Sequence, residues 1–133
     1  MTFKECLKKG RIKEFSQGKD LVQKELKTAE KDLLDGKEGF ERKKYKWTTI
    51  QSYYAMFHSA RALLYAKNYR EKSHHCLIIA LRHLYVDIGK LPGYYYLLTN
   101  NCVHKTKEAG AAAGVTITCG WTPESLADFL NSQ

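Results

Sequence analysis

The run from Trp47 to Lys67, WTTIQSYYAMFHSARALLYAK, holds neither proline nor glycine and carries two adjacent stripes at a helical period. Ile50, Tyr53, Phe57, Ala60 and Leu64 recur at three, four, three and four residues, which is one apolar face of a helix. Gln51, Tyr54, His58, Arg61 and Tyr65 repeat the spacing one residue on, flanked by Ala55, Met56, Ala62 and Leu63. A helix that is apolar over most of its circumference belongs inside a bundle, because only there is every face covered. Its polar side chains then carry a desolvation cost that partners must offset.

The rest of the chain supplies elements to pack around this helix. Thr2-Phe3-Lys4-Glu5 has the form of a capping box, and the short helix it opens closes at Gly10. Val22, Leu26, Ala29 and Leu33 predict a helix from about Lys19 to Asp35, followed by a hairpin over Lys37–Gly39 and a resumption near Phe40. Asn68–Lys72 reads as a polar turn and Ser73 as the N-cap of a helix with core positions Leu77, Leu81, Leu84 and Ile88, ended by Gly89. Tyr95, Leu98 and Cys102 mark a further helix over Tyr94–Lys107. Glu108–Trp121 reads as irregular, and Thr122-Pro123-Glu124 opens a last helix. The expected fold is all-α: a single domain of 133 residues forming an up-and-down bundle of four main helices with short terminal helices.

A net charge of +8, densest in EGFERKKYK (Glu38–Lys46), suits an anionic partner as well as simple solubility. No apolar run approaches the roughly 20 residues of a membrane span, and the charged N-terminal stretch lacks the apolar core of a secretory leader. A cytoplasmic protein is expected. Cys6, Cys76, Cys102 and Cys119 form no CxxC pair, so they read as reduced thiols, with no metal site and no cofactor expected.

The segment YYAMFHSARALLYAKNYREKSHHCLI (Tyr53–Ile78) resembles the signature of the HEPN family, small all-helical domains paired with minimal nucleotidyltransferases. In that family a helix of this type is followed by a short polar turn and a Ser-His that opens the next helix, here Ser73-His74. The resemblance implies a homodimer, a nucleotidyltransferase partner, and a role as the toxin-like member of a two-gene pair acting on RNA. An R-x4–6-H motif marks the members that cut RNA without metal, and Arg70 and His75 fit that spacing. Arg70 stands nearer the N-terminus than the family's motif does. The Arg followed by Asp-Tyr usual in a later helix is also missing, with HKTKEA (His104–Ala109) in that region. Val115–Cys119 can be encoded so that a shifted frame reads Arg-Asp-Tyr-His-Leu, which the nucleotide sequence of the gene would test.

The candidate residues divide by chemistry. An imidazole at His75 suits proton transfer from a ribose 2′-hydroxyl, and the Arg70 guanidinium suits the charge that builds on phosphorus. Lys72, Ser73 and His74, with the free amides of a helix start, suit a phosphate. His58 and Arg61 share a face with Tyr54 and Tyr65. That face reads either as a structural network with Glu25 or Asp87, or as the lining of an RNA- or nucleotide-binding groove. His83 and Asp87 read as a local pair. Beside RNA cleavage stands a second reading, a non-catalytic helical module that binds a nucleotide or docks onto the transferase.

Overall fold

The capping box opens the first helix as expected. In the computed structural model, which describes residues 1–89, α1 (Phe3–Lys8) starts at Thr2. Thr2 Oγ1 accepts the Glu5 amide at 3.2 Å, and the Thr2 amide donates to Glu5 Oε2 at 2.6 Å. Gly10, at φ +63°, ends the helix, its amide donating to the Leu7 carbonyl and that of Arg11 to the Cys6 carbonyl. The chain then enters a strand that the sequence does not predict. β1 (Ile12–Glu14) pairs antiparallel with β2 (Tyr69–Glu71) in the register Ile12↔Glu71, Lys13↔Arg70, Glu14↔Tyr69. Three residues are too few to display an alternating period, and the pairing joins distant parts of the chain, so Asn68–Lys72 looks like a plain turn in the sequence.

Glycines act as spacers in α2 (Gly18–Glu41) rather than as breaks. The predicted core face of Val22, Leu26, Ala29 and Leu33 is buried, but the helix runs on through Gly36 and Gly39, where a hairpin is predicted. A Cβ at Gly39 would stand 3.0 Å from Thr48 Oγ1, and one at Gly36 would stand 3.4 Å from Ser52 Oγ. Their bare backbone lets α3 (Tyr45–Tyr65) approach, and Thr48 Oγ1 donates to the Gly36 carbonyl at 3.2 Å. The break falls instead at Lys43, at φ +60°, where the Lys43 amide reaches the Phe40 carbonyl and the Lys44 amide the Gly39 carbonyl. Helices α2 and α3 run antiparallel, with Gly39 at Thr48, Glu25 at His58, and Gly18 against Tyr65.

The core sits toward the far end of α3. Ala60, Ala62, Leu63 and Leu64 are buried there with Phe3, Ile12, Leu26, Leu77 and Tyr85, whereas Tyr45 and Trp47 at the near end are exposed. Asn68, in the left-handed region at φ +58°, knits the junction: its carbonyl accepts the Phe15 amide at 2.7 Å and its Oδ1 the Lys19 amide at 3.3 Å. From there β2 runs back along α3 and delivers α4 (His74–Leu81) to the middle of that helix. His74 meets Tyr53 and Phe57, and Tyr85 further on meets Leu63, so contacts advance in the same sense along both helices. The step from α3 to α4 is therefore a strand-mediated return and not a tight antiparallel turn.

Ser73 caps α4 as expected, its Oγ accepting the Cys76 amide at 3.4 Å. The helix does not continue to Ile88 in α form; a π-helical turn, Arg82–Val86, takes over. That wider turn rotates the predicted stripe, so Tyr85 becomes the buried residue and Ile88 is exposed. The Tyr85 hydroxyl donates to the Leu63 carbonyl at 2.7 Å. The four-reduced-thiol expectation fails for Cys6 and Cys76, which are joined as a disulfide with Cα atoms 5.9 Å apart. Packing of α1 on the start of α4 brings the two buried sulfurs together across 70 residues of chain. The predicted helix over Tyr94–Lys107, the irregular segment 108–121, the last helix, Cys102 and Cys119 lie outside the described residues.

Two stability tests arise from this packing. A Cβ at Gly18 would stand 2.5 Å from the Tyr65 carbonyl oxygen, so Gly18→Ala is expected to cost about 1–3 kcal/mol in urea unfolding. Closing a loop of 70 residues implies that Cys76→Ser loses about 2–4 kcal/mol. A reductant should lower the Tm of the wild type and leave that of Cys76→Ser unchanged.

Candidate functional site

Three elements converge on the polar stripe of α3. Glu25 and Asp32 come from the facing side of α2, Glu71 from β2, and His74 from the first turn of α4. His58 Nδ1 lies 2.6 Å from Glu25 Oε2, and its Nε2 lies 3.9 Å from Asp32 Oδ2. Arg61 Nε donates to Glu71 Oε1 at 2.8 Å, Nη2 donates to the same oxygen, and Nη1 stands 3.8 Å from Glu25 Oε1. The guanidinium also lies over the rings of Phe57 and Tyr65, at 4.7 and 5.8 Å. The network that the sequence offers as one of two readings is therefore present through Glu25, and Asp87 takes no part in it.

The electrostatics follow from this geometry. Burial works against the charge on Arg61, but the hydrogen bonds and charge of Glu71 more than offset it and hold its pKa above the ordinary arginine value. Burial pushes the Asp32 carboxyl up, opposed by His58 beside it. Glu71 is itself buried, and its Oε2 has no hydrogen-bond partner among the described residues. Arg61 Nε and Nη2 are committed to Glu71, and Nη1 faces Glu25, so ion pairs fix the guanidinium in this part of the site.

The start of α4 is different. His74 is fixed, its Nδ1 2.8 Å from the Tyr53 hydroxyl and its ring 4.7 Å from that of Phe57. Burial raises the pKa of that tyrosine. His75 is exposed in the same turn. Arg70 is exposed on β2 with its guanidinium 5.3 Å from the Phe15 ring, and it makes no hydrogen bond or ring contact with His75. Exposed Lys72 is held below the ordinary lysine value, chiefly by the Lys13 side chain and its charge. The structure thus brings together His58, Arg61 and His74 around Phe57. It sets Arg70 on β2, Lys72 between that strand and the Ser73 cap, and His75 just after the cap.

Other expectations shift. His83 does not pair with Asp87: it stacks on Phe3 at 4.7 Å, and Asp87 Oδ1 accepts Arg82 Nε at 3.4 Å, because the π-helical turn alters the spacing. Glu71 and Lys13 are missed by sequence reasoning, since both enter through a strand pairing that leaves no periodic trace. Asp32 carried a readable signal, two turns from Glu25 on one face of α2. Among the described residues no group of three or more His, Cys, Asp or Glu is placed to hold a metal ion, and no helix is long and apolar enough to cross a membrane.

With this arrangement established, similarity defines the class. The HEPN domain family matches residues 22–103, and the chain belongs to that family. Among curated proteins the chain is similar to one of Methanocaldococcus jannaschii named Putative toxin MJ0605, at 36% identity over 74 residues. That match covers 56% of this chain, which spans about half (55%) of the length of the relative. No solved structure matches the chain.

The Arg61–Glu71 pair can be tested for its structural role. Glu71→Ala leaves a guanidinium with a quarter of its side chain exposed, so the expected loss is about 2–3 kcal/mol, below the range for a wholly buried pair. Arg61→Met combined with Glu71→Leu should recover most of it in urea unfolding.

Proposed function

We propose that this protein is the HEPN component of a toxin–antitoxin-like pair, binding RNA and cleaving it without a metal, with a minimal nucleotidyltransferase as its protein partner. Family membership supports the class, and the name of the archaeal relative supports the toxin-like role. The observation that carries the RNA reading is the exposed cation and imidazole cluster at the entry to α4. Arg70, Lys72 and His75 there form no ion pair with a carboxylate among the described residues, unlike Arg61 and His58. We place the protein in the cytoplasm as one domain that dimerises.

The chemistry assigns one role to each residue. A neutral His75 imidazole takes the proton of a ribose 2′-hydroxyl, and the 2′-oxygen attacks the adjacent phosphorus. The bond to the 5′-oxygen breaks, the leaving oxygen takes up a proton, and a 2′,3′-cyclic phosphate remains. Arg70 stabilises the charge that builds on the phosphoryl oxygens. Lys72, His74 and the amides after Ser73 hold the flanking phosphate. His58 and Arg61, held by carboxylates, border the bound strand. A second reading, a non-catalytic module that binds a nucleotide or docks onto the transferase, draws on one observation: no hydrogen bond or ring contact joins Arg70 to His75 within the chain.

Incubating a mixed RNA pool with protein in EDTA separates the two readings. Cleavage that leaves 2′,3′-cyclic ends in wild type and falls at least about 100-fold in His75→Ala is the expected outcome, in line with loss of a general base. Salt-sensitive binding without cutting would establish the second reading. Equal cutting by both proteins would remove His75 from the mechanism.

A further inference from the structure

The sequence-distant strands β1 and β2 assemble a feature that neither shows alone. Lys13 and Arg70 are directly opposite one another in the ladder. The bond from the Lys72 amide to the Arg11 carbonyl, 2.8 Å, carries the pairing one step further and sets Arg11 beside Lys72. All four side chains are exposed. Opposite residues in an antiparallel pair hold their Cβ atoms about 5 Å apart, and alternate residues of one strand lie about 6.6 Å apart. Four cations therefore occupy a patch only two residue steps long.

Like charges directly opposite one another destabilise a strand pair. Nothing within the ribbon relieves this. Glu14 and Glu71, the acids of the two strands, alternate onto the other face, and Glu71 is buried there on Arg61. None of Arg11, Lys13, Arg70 and Lys72 forms an ion pair with a carboxylate among the described residues. The closeness is felt, because Lys13 and Arg70 both depress the pKa of Lys72. Arg70 also has an aromatic neighbour: its guanidinium carbon lies 5.3 Å from the centre of the Phe15 ring, which packs in turn on Tyr65 at 5.3 Å. A guanidinium braced on a ring keeps its N–H edge available for bidentate contact with phosphate.

We propose that the outer face of the β1–β2 ribbon, formed by Arg11, Lys13, Arg70 and Lys72, is a binding track for the phosphodiester backbone of single-stranded RNA. This rests on the RNA reading above and extends it to the N-terminal segment, since Arg11 and Lys13 lie outside the residues matched by the family, 22–103. The two cross-strand pairs offer phosphate contacts at successive steps along the ribbon. Lys72 leads straight into the Ser73 cap, so a strand lying on the ribbon is delivered to His74 and His75. The ribbon supplies affinity without reading sequence, because phosphate contacts position and base contacts specify.

The test uses a fluorescent 2′-O-methyl RNA, which binds but cannot be cut by 2′-hydroxyl attack, with anisotropy read over a range of salt. Arg11→Gln with Lys13→Gln is the variant; Lys24→Gln with Lys27→Gln, which removes the same charge from the exposed side of α2, is the control. The ribbon variant should bind about tenfold or more weakly, and its slope of log K against log salt should flatten by about 1.4, the value for two single-strand phosphate contacts. The control should stay near wild type in both, and the ribbon variant should keep a Tm at or slightly above that of wild type, because it removes the repulsion between Lys13 and Arg70. Equal weakening in ribbon variant and control overturns the track in favour of diffuse charge. An unchanged ribbon variant overturns it also, and if polyglutamate binding is lost instead, the face belongs to an acidic protein. Either result leaves the RNA reading standing wherever wild type still binds, whereas a wild type that binds no RNA overturns both.

Discussion

The pairing of Arg61 with Glu71 is the interaction on which the described structure turns. It is the point where the return strand is fastened to the central helix, and Arg61 reaches at the same time toward Glu25 on α2. Both charges are largely removed from water, and such a pair adds little net stability over an apolar replacement while being costly to break. Its value here is geometric. A guanidinium presents its donors in a fixed plane, so accepting from it fixes the position of β2 along α3 as well as its distance. With Glu71 fixed, Arg70 and Lys72 are turned outward by strand alternation, and Ser73 lies where α4 has to begin.

The second constraint acts at the opposite end of the ribbon. Gly18, Tyr65 and Asn68 meet so closely that no side chain fits at residue 18, and Asn68 satisfies the amides of Phe15 and Lys19 together. The disulfide between Cys6 and Cys76 then ties α1 to the first turn of α4. Strand β1 is thus anchored from both sides by contacts that involve no charge on its outer face. That independence matters, because substitutions at Arg11 and Lys13 can alter the charge of the ribbon without removing anything that holds it in place.

Much of the helical frame was legible because helices announce themselves locally. The capping box at Thr2, the N-cap at Ser73, the core face of α2 and the enclosed character of α3 are all written within a few turns of sequence. Errors came where a residue type has two physical uses. Gly36 and Gly39 look like a hairpin but serve as close-packing spacers, and the turn that ends α2 is taken by Lys43 in a conformation that side chains rarely adopt. The ribbon was invisible because its evidence is non-local: Lys13 gives no hint of Arg70 until the chain has folded. For the candidate site the same split applies. His58 with Glu25 could be inferred from facing helices, while Glu71 depended on the unseen strand.

The polar residues of this region sort themselves by whether a carboxylate already answers them, and this sorting gives the functional reading its direction. His58 and Arg61 lie in the helix that carries the family resemblance, and both are engaged by acids in the folded chain. A phosphate that took the place of Glu71 on Arg61 would leave a buried carboxylate without its counter-charge, which is unfavourable. Arg70 and Lys72 present the reverse case: they already repel neighbouring cations, and a phosphate arriving there relieves that repulsion. The same basic composition therefore yields an internal set of charges that gives shape and an external set that no carboxylate answers among the described residues. The boundary between them is the pleat of a two-stranded ribbon, in which Glu71 points inward and its neighbours on either side point out.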